Sequence, residues 1–567
     1  MAPMLGSFYE YLTLSRISVA GAGLVVTISL VQFIYNVYFH PLASFPGPLL
    51  WRGSNIPKII SQVQGTVHYR MLEFHQRYGP VVRLAPNELT YTTASALKEI
   101  YGNRGGKKLM PPQFSLGTHE KKMFGATSFI WLESQQEHHR HRKILAQGFS
   151  DASLKAQEPV VLWYAKLLMQ RLRERAARGE VVDMWAWFNY YTFVSHVSFP
   201  LCFFSPDVTQ ADTDSFLSWK AKETGQADSK RPQDIIGDLT FSEPFDCVNQ
   251  GRFHPWIAFM FSNLTNMMYA QMMTTMGFLG TFIQAIVPRT VMAQAHAHAR
   301  STRDKVDRRL ARTAKASATT GSTGGRPDVV SGLLGRVDRP GGITREELYA
   351  DSQILMMAGS ETGATLLAVA VYHLLRSPGK LAKLRDEVRG FFSPTGAEEE
   401  EMSYAAVSRG LPYLLAVIHE SLRIHPSLPA GINRFVPQGG ATIDGRFVAE
   451  GTVLQVPHWA AFHLEENFRD PWEFVPERWL DPCPERYRDD NREVFQPFSF
   501  GQRNCIGRGL AMMETRICLA MLVLNFDMEL MEDGKDWNRQ RVYLLYEKRP
   551  LNVRLTEVAR GEGGEKL

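Results

Sequence analysis

The chain has 567 residues, of which 44% are hydrophobic and 21% are charged, an ordinary balance for a globular protein. Its formal net charge of +5 is too small to favour nucleic-acid binding. The five cysteines are odd in number and irregularly spaced, which excludes a disulfide framework and favours a reducing compartment.

The N-terminal segment predicts a membrane anchor. From Ile17 to Tyr38 the chain carries no charged residue. A helix of this length measures about 33 Å and can cross a bilayer core of roughly 30 Å. A cleaved signal peptide is the alternative, but the apolar run is long and no small-residue cleavage site follows it. We therefore expect residues 1–39 to form an anchor and the Pro/Gly-rich residues 40–48 to form a hinge, because proline cannot continue a helix.

The next part of the chain is predicted to contain short helices and strands. Residues 66–79 and 92–101 predict helices, and residues 81–91 predict strands around a turn. In the basic run that follows, His138 and Arg142 are one helical turn apart and share a helix face. A solvated basic face is the alternative interpretation of this run.

Two segments in the middle of the chain are less specific. Residues 256–288 are apolar and rich in methionine. A membrane segment, flexible helices over an apolar pocket and ordinary core all remain open, since methionine adapts to irregular shapes. Residues 313–326 are small, polar and rich in glycine, which is typical of a surface linker.

A long helix is predicted from Thr344, which opens a capping box, to Arg376. It would measure about 50 Å, enough to cross a whole domain. At its middle, residues 358–362 include an acid beside a hydroxyl, Glu361 and Thr362. Such a pair in an apolar wall can relay protons. A polar break in a core helix is the alternative.

Glu420 and Arg423 are three residues apart in an otherwise apolar helix over residues 411–424. This context indicates a buried ion pair, which needs a further partner. Arg478, within a Pro-Glu-Arg-Trp sequence, is the candidate. Residues 442–457 predict a hairpin with Asp444 and Gly445 at its turn.

The most informative segment surrounds Cys505. A cysteine thiolate can be the axial ligand of a haem iron. Arg503 can donate to a carboxylate, and a helix that begins near residue 507 would stabilise the thiolate through its backbone N–H groups. A structural cysteine in a glycine-rich turn is the alternative. The pattern is FxxGxRxCxG, with Phe498, Gly501, Arg503, Cys505 and Gly507 at its fixed positions.

This pattern resembles the haem-binding loop of the cytochrome P450 monooxygenases, and the other motifs stand in that family's order. The resemblance covers roughly residues 40–555. It implies a haem-thiolate domain over residues 49–557, mainly α with a smaller β-rich part, on a single N-terminal transmembrane helix. We expect residues 558–567 to form a flexible tail.

The resemblance also implies residue roles. Glu361 and Thr362 would deliver protons to O2, and the triad of Glu420, Arg423 and Arg478 would hold the scaffold of the loop. Cys505 would bind the iron of haem b. The other implied haem contacts are Phe498, Gly501, Arg503, Gly507, His138, Arg142, Arg434 and Gly359. The chain departs from the family at His138, where tryptophan is usual, and at Gly363, where a second hydroxyl is common.

The implied function is oxidation of a lipophilic small molecule with O2 and electrons from a separate NADPH-cytochrome P450 reductase. The anchor implies contact with membrane lipid, and the resemblance implies the endoplasmic reticulum membrane with the catalytic domain in the cytosol. Residues 40–48 have a form typical of fungal members, which favours a terpenoid or polyketide intermediate of secondary metabolism. A sterol, a fatty acid or a xenobiotic fits the same features. The alternatives in function are a haem-dependent isomerase or dehydratase that does not use O2, and a non-catalytic membrane haem protein.

Overall fold

A computed structural model describes most of the chain outside its two ends and its middle. The described ranges are 19–21, 23–102, 109–112, 121, 124–197, 336–392, 402–531, 536–547 and 549–558, with scattered residues between 248 and 311. The methionine-rich segment and the predicted linker lie outside the described residues, as do the first 18 residues and all but residue 558 of the predicted tail.

Helices dominate the described residues. In chain order they are α1 (Val19–Phe39), α2 (Leu49–Gly53), α3 (Ile56–Val63), α4 (Val67–Tyr78), α5 (Ala94–Tyr101), α6 (Gln135–Ala146), α7 (Asp151–Ala177), α8 (Met184–Val197), α9 (Arg345–Leu375), α10 (Pro378–Phe392), α11 (Tyr404–Gly410), α12 (Pro412–Ile424), α13 (His458–His463) and α14 (Arg508–Asn525). The predicted helices over residues 66–79, 92–101, 344–376 and 411–424 are confirmed.

Within the described ranges, the strands form three small sheets. They are β1 (Val81–Ala85), β2 (Glu88–Tyr91), β3 (Val181–Asp183), β4 (Arg434–Phe435), β5 (Ala441–Ile443), β6 (Arg446–Val448), β7 (Val453–Gln455), β8 (Phe526–Leu530) and β9 (Asn552–Glu557). The largest sheet has the order β1-β2-β7-β4, in which β2 and β7 are parallel and the other pairs antiparallel. The order in the second sheet is β3-β9-β8, and β5 pairs with β6.

The predicted hairpin over residues 442–457 is only partly right. Asp444 and Gly445 do form the tight turn between β5 and β6, with φ of +48° and +72°. The following strand β7, however, leaves the hairpin. It pairs with β2, which lies far away in sequence, so long-range pairing rather than the local pattern decides its place.

Helix α9 is the centre of the largest hydrophobic core. Thr344 and Glu347 close its N-terminus as a capping box, in which the Thr344 hydroxyl accepts from the Glu347 N–H at 3.2 Å. Residues 363–372 are all buried, and the helix packs against α8, α10, α12 and α14. This packing therefore holds the middle residues of α9 in a fixed position within the domain.

By length and composition, α1 and α9 are both apolar enough to cross a membrane. In α9, 75% of the most apolar window is buried within the protein, whereas in α1 only 12% is. Since α9 is a core helix, α1 is the better candidate for an anchor. The segment after α1, predicted as a hinge, packs onto the domain: Leu42 and Phe45 are buried in the core beside β2 and β7.

A network of charges connects α6 to the start of α9. Arg140 pairs with Glu347 at 2.6 Å and with Glu137 at 2.6 Å. The fully buried His141 contacts Asp351 through Nδ1 at 2.9 Å and Glu347 through Nε2 at 3.2 Å. Burial disfavours a charge on His141, but the hydrogen bonds to Asp351 and Glu347 outweigh it and raise its pKa to about 9. His141 is thus a cation between two carboxylates.

The network predicts a pH-dependent stability. Because the folded pKa of His141 lies above the ordinary value of 6.5, its contribution is complete below pH 6.5 and is lost as the pH rises through about 9. At most about 3 kcal/mol of the free energy of unfolding follows from such a shift. Thermal unfolding between pH 6 and pH 10 should therefore lose stability with pH in the native chain but much less in His141→Gln.

The control is His139→Gln, which removes the exposed neighbour on the same helix. It should keep the native pH profile. An unchanged profile in His141→Gln would contradict the assignment.

Candidate active site

The loop before α14 is closed by its own backbone. The Cys505 N–H donates to the Phe498 carbonyl at 2.8 Å, and the Asn504 N–H donates to the Gly501 carbonyl at 3.2 Å. Gly501 has a φ of +76°, and a Cβ there would lie 2.1 Å from the Tyr101 carbonyl oxygen, so only glycine fits. Gly507 has an ordinary φ of −86°. The left-handed turn of the loop therefore lies at Gly501 and not at Gly507.

The sulfur of Cys505 lies deep in the protein but is accessible. Its side chain is exposed, while burial is also the largest influence on its pKa. Burial raises the pKa of Cys505, whereas backbone N–H groups of Gly507 and Arg508 and the charge of Arg142 act in the opposite direction. This agrees with the predicted position of Cys505 just before a helix N-terminus.

Three arginines converge near this loop. Burial, together with the charges of Arg434 and Arg142, lowers the pKa of Arg503 to about 10. The Arg503 Nε and Nη1 atoms are buried and have no hydrogen-bond partner among the described residues. Arg434 is also buried, and its guanidinium lies over the Tyr101 ring, 5.3 Å from the centroid. A buried guanidinium with free donors is suited to an anionic ligand.

The face of α6 that carries His138 and Arg142 points inward. His138 is buried, and its pKa is lowered to about 3 by burial and by the nearby charges of Arg503, Arg142 and Arg434. The solvated basic face is therefore wrong for His138. Arg142 donates to the Asn504 carbonyl at 2.7 Å and to Asn504 Oδ1 at 2.5 Å. It thus contacts the residue next to Cys505.

The middle of α9 has an accessible side and a buried side. Ala358 is exposed, and Gly359 and Thr362, which lie within one turn of it, are half-buried. Glu361 is only 1% exposed. Thr362 therefore reaches the accessible side, while Glu361 lies behind it.

Hydroxyl groups approach the backbone of α9 at this turn. Thr192 of α8 donates to the Ser360 carbonyl at 2.7 Å, and Ser427 donates to the Thr362 carbonyl at 3.0 Å. The Thr362 hydroxyl donates to the Ala358 carbonyl at 2.7 Å. Such bonds compete with the helix ladder. Hydrogen bonds from α8 and from the segment after α12 therefore hold the turn that carries Glu361 and Thr362.

The predicted triad is brought together and is completely buried. Arg423 donates to both carboxylate oxygens of Glu420, at 2.9 and 2.7 Å, and Arg478 Nε lies 3.2 Å from Glu420. The Trp479 indole and the Val475 N–H each donate to Glu420 at 2.8 Å. The carboxylate thus has two cations and two neutral donors, which is what a buried charge requires.

The triad connects to the segment that leads into the loop. Arg478 pairs with Asp490, and Arg492 donates to the Arg478 carbonyl. Phe495 packs on Trp479, with ring centroids 4.4 Å apart. Through these contacts, helix α12 positions the chain that precedes Phe498.

Sequence reasoning missed Tyr101 and Asn504. The Tyr101 hydroxyl donates to the Ile432 carbonyl at 2.7 Å, and the Arg434 guanidinium lies over the Tyr101 ring. Both residues act through contacts that are distant in sequence, and no local pattern distinguishes them from ordinary core or loop residues.

Comparison with known proteins identifies the family. The family model described as cytochrome P450 matches residues 45–221 and 208–553. The chain is 35% identical over 546 residues to cytochrome P450 monooxygenase efuB of Hormonema carpetanum, covering 95% of this chain and 97% of that protein. It is also 35% identical to the averantin hydroxylase of Dothistroma septosporum, covering 95% of this chain and 91% of that protein.

The fold agrees with a solved structure. A crystal structure of a cytochrome P450 superposes with a TM-score of 0.65 at 19% identity, covering 88% of this chain and 94% of that chain. The predicted fold class, mainly α with a smaller β-rich part, is confirmed. The family's members use haem ligated by a cysteine thiolate to oxidise substrates with O2, and the curated relatives named here are fungal. The chain therefore belongs to the cytochrome P450 family and is a haem-thiolate monooxygenase.

Proposed function

We propose that Cys505 supplies the thiolate and that Arg503 and Arg434 bind the haem propionates. The observation that carries this proposal is the pair of buried, partnerless donors on Arg503, close to a second buried arginine and to an accessible cysteine. Haem bound there supplies O2 activation and electron storage. The two propionates are anions, and they balance the positive charge that three converging arginines produce.

The remaining cofactor residues take different parts in this proposal. Arg142 holds Asn504 and so positions Cys505, and the neutral His138 offers an N–H toward the same anions. Phe498 and Gly507 complete the loop, Gly501 gives the turn against Tyr101, and Gly359, which has no side chain, leaves room beside Thr362 on the accessible side of α9.

Arg503→Gln tests the propionate contact. Loss of a charge-assisted bond worth about 1.5–3 kcal/mol should raise the rate of haem loss roughly 10- to 100-fold. Transfer of haem from the holoprotein to apomyoglobin measures this rate. Gln502→Ala changes the exposed neighbour in the same loop and should leave the rate unchanged. Equal rates for Arg503→Gln and the native chain would show that Arg503 does not bind haem.

For catalysis, we infer that Thr362 is the proton donor at the accessible side of α9 and that Glu361 supplies protons from behind. The burial of Glu361 and the accessibility of Thr362 support this order. A hydroxyl can donate one proton and accept another, so Thr362 can pass a proton from the Glu361 carboxyl group to O2.

Thr362→Val should therefore uncouple the enzyme. Product formation should fall roughly 10²-fold or more, while NADPH consumption continues and hydrogen peroxide accumulates. Glu361→Gln should also lower product formation and increase the release of hydrogen peroxide. Thr362→Ser keeps a hydroxyl and should therefore keep NADPH consumption coupled to product formation. A Thr362→Val variant that remains coupled would contradict the relay.

We further propose that the substrate is a lipophilic terpenoid or polyketide intermediate and that electrons come from NADPH-cytochrome P450 reductase. We place the protein in the endoplasmic reticulum membrane, with α1 as a single-pass anchor and the catalytic domain in the cytosol. The apolar, largely exposed α1 and the fungal source of the relatives support these assignments. One relative is named averantin hydroxylase, so its name states that it hydroxylates averantin.

A Soret titration of the ferric holoprotein identifies the substrate class. Terpenes, polyketides, sterols and fatty acids are added separately, and a shift from low to high spin reports a ligand that enters beside the haem. We expect the shift with a terpene or a polyketide. A shift with sterols or fatty acids alone would replace the proposed substrate class, while the reduced CO spectrum checks thiolate ligation independently.

A further inference from the structure

The peptide that joins Asn504 to Cys505 is held at both ends. Its carbonyl accepts from Arg142 Nη1 at 2.7 Å, and its N–H, which belongs to Cys505, donates to the Phe498 carbonyl at 2.8 Å. The second terminal nitrogen of Arg142 donates to Asn504 Oδ1 at 2.5 Å. The Asn504 N–H donates in turn to the Gly501 carbonyl at 3.2 Å. Arg142 is therefore bound at two points to a residue that the loop itself holds in place, and we call this contact the Arg142–Asn504 fork.

The arginines of the site differ in how their donors are used. Arg503 Nε and Nη1 are buried and have no hydrogen-bond partner in the part of the chain that the structure describes. In Arg142, the two terminal nitrogens both donate to Asn504. A bidentate contact with a carboxylate uses two N–H groups of one guanidinium. Arg503 therefore has donors available for a propionate, whereas the terminal donors of Arg142 already serve the loop.

The charge of Arg142 acts on the sulfur of Cys505. Burial raises the pKa of the Cys505 thiol, and the charges of Arg142 and Arg508 act in the opposite direction. The interaction is mutual, because burial lowers the pKa of Arg142 while Cys505 opposes that shift. Arg508 is exposed, so water and salt screen its charge, whereas Arg142 is half-buried. Of the two cations, Arg142 is therefore the one whose position matters more to the charge on the sulfur.

We propose that Arg142 is the counter-charge of the Cys505 thiolate and that Asn504 is the residue that positions it. The proposal rests on the proposed ligation of the haem iron by Cys505. A reduced iron centre carries one more negative charge, which a nearby cation stabilises, so the Arg142–Asn504 fork raises the reduction potential of the bound haem. The family resemblance implies a direct haem contact for Arg142, whereas the fork assigns its charge to the sulfur and leaves the propionates to Arg503 and Arg434.

A potentiometric titration of the holoprotein tests this with Arg142→Gln, which removes the charge. The ferric form should be favoured by roughly tenfold relative to the native chain, which corresponds to a reduction potential about 59 mV more negative for one electron. The rate of haem transfer to apomyoglobin should stay close to the native rate, because the propionates keep their partners. Arg503→Gln, in contrast, should accelerate haem loss.

Further variants separate the charge from its position. Asn504→Leu removes one acceptor of the fork, so the potential should fall by a smaller amount, since the backbone carbonyl of residue 504 still accepts from Arg142. In the double variant with Arg142→Gln, the potential should equal that of Arg142→Gln alone, because Asn504 acts only through the arginine. Lys143→Gln is the matched control. It removes an exposed cation from the same helix and should leave the potential unchanged, since solvent screens that charge.

The other outcomes separate the proposals, and reduced CO spectra check thiolate ligation in every variant. Haem loss from Arg142→Gln as fast as that from Arg503→Gln would overturn the proposal, because Arg142 would then bind a propionate. A native potential in Arg142→Gln would overturn the counter-charge, and an additive shift in the double variant would overturn the positioning role of Asn504. Absence of the thiolate signature in the native chain would overturn ligation by Cys505 itself. A shifted potential in Arg142→Gln together with native haem retention in Arg503→Gln would support the counter-charge and overturn only the propionate contact.

Discussion

The carboxylate of Glu420 is the charge on which the positioning of the site depends. It is fully buried, and it is stable there only because Arg423, Arg478, Trp479 and the Val475 N–H all donate to it. Removing one cation from such a group typically costs 3–5 kcal/mol, since an uncompensated charge is left in the interior. The same arginines donate to backbone carbonyls of the segments that follow α12, including those of Phe462 and Arg469. One buried carboxylate therefore organises the chain between α12 and the cysteine loop, and its effect on the site is one of position rather than chemistry.

Two clusters of buried charge near α6 differ in how they are balanced. The cluster around His141 contains its own counterions, because Asp351 and Glu347 face the imidazolium and Arg140 joins two glutamates. In the cluster of Arg142, Arg434 and Arg503, the charges of Arg142 and Arg434 lower the pKa values of both Arg503 and His138. A self-balanced cluster stabilises the fold, whereas a cluster of like charges with free donors is suited to an anionic cofactor. The balance of charge thus distinguishes the His141 cluster, which is structural, from the arginine cluster, which is suited to binding, although both include residues of α6.

Patterns that are contained within a short stretch could be predicted from the sequence. The cysteine loop, the capping box of α9 and the spacing of Glu420 and Arg423 each fix a local geometry, and the structure brings Arg478 to that pair as expected. The features that could not be predicted depend on contacts between distant segments. Tyr101 supports Gly501 and Arg434, β7 leaves the predicted hairpin to pair with β2, and Arg142 reaches Asn504. In each case the local sequence permits several partners, and tertiary packing selects one.

The turn of α9 at residues 358–362 shows why adjacent residues can have separate tasks. Neighbouring side chains on a helix point about 100° apart, so Glu361 and Thr362 cannot face the same space. Burial of the acid keeps it away from the accessible side, while the hydroxyl on that side bonds to the Ala358 carbonyl. Thr192 and Ser427 bond to carbonyls of the same turn from two different elements. Because the backbone is held from outside the helix, the hydroxyl keeps its place when its own bond to Ala358 is exchanged for another acceptor. That freedom to exchange partners on a fixed backbone is what a proton relay requires.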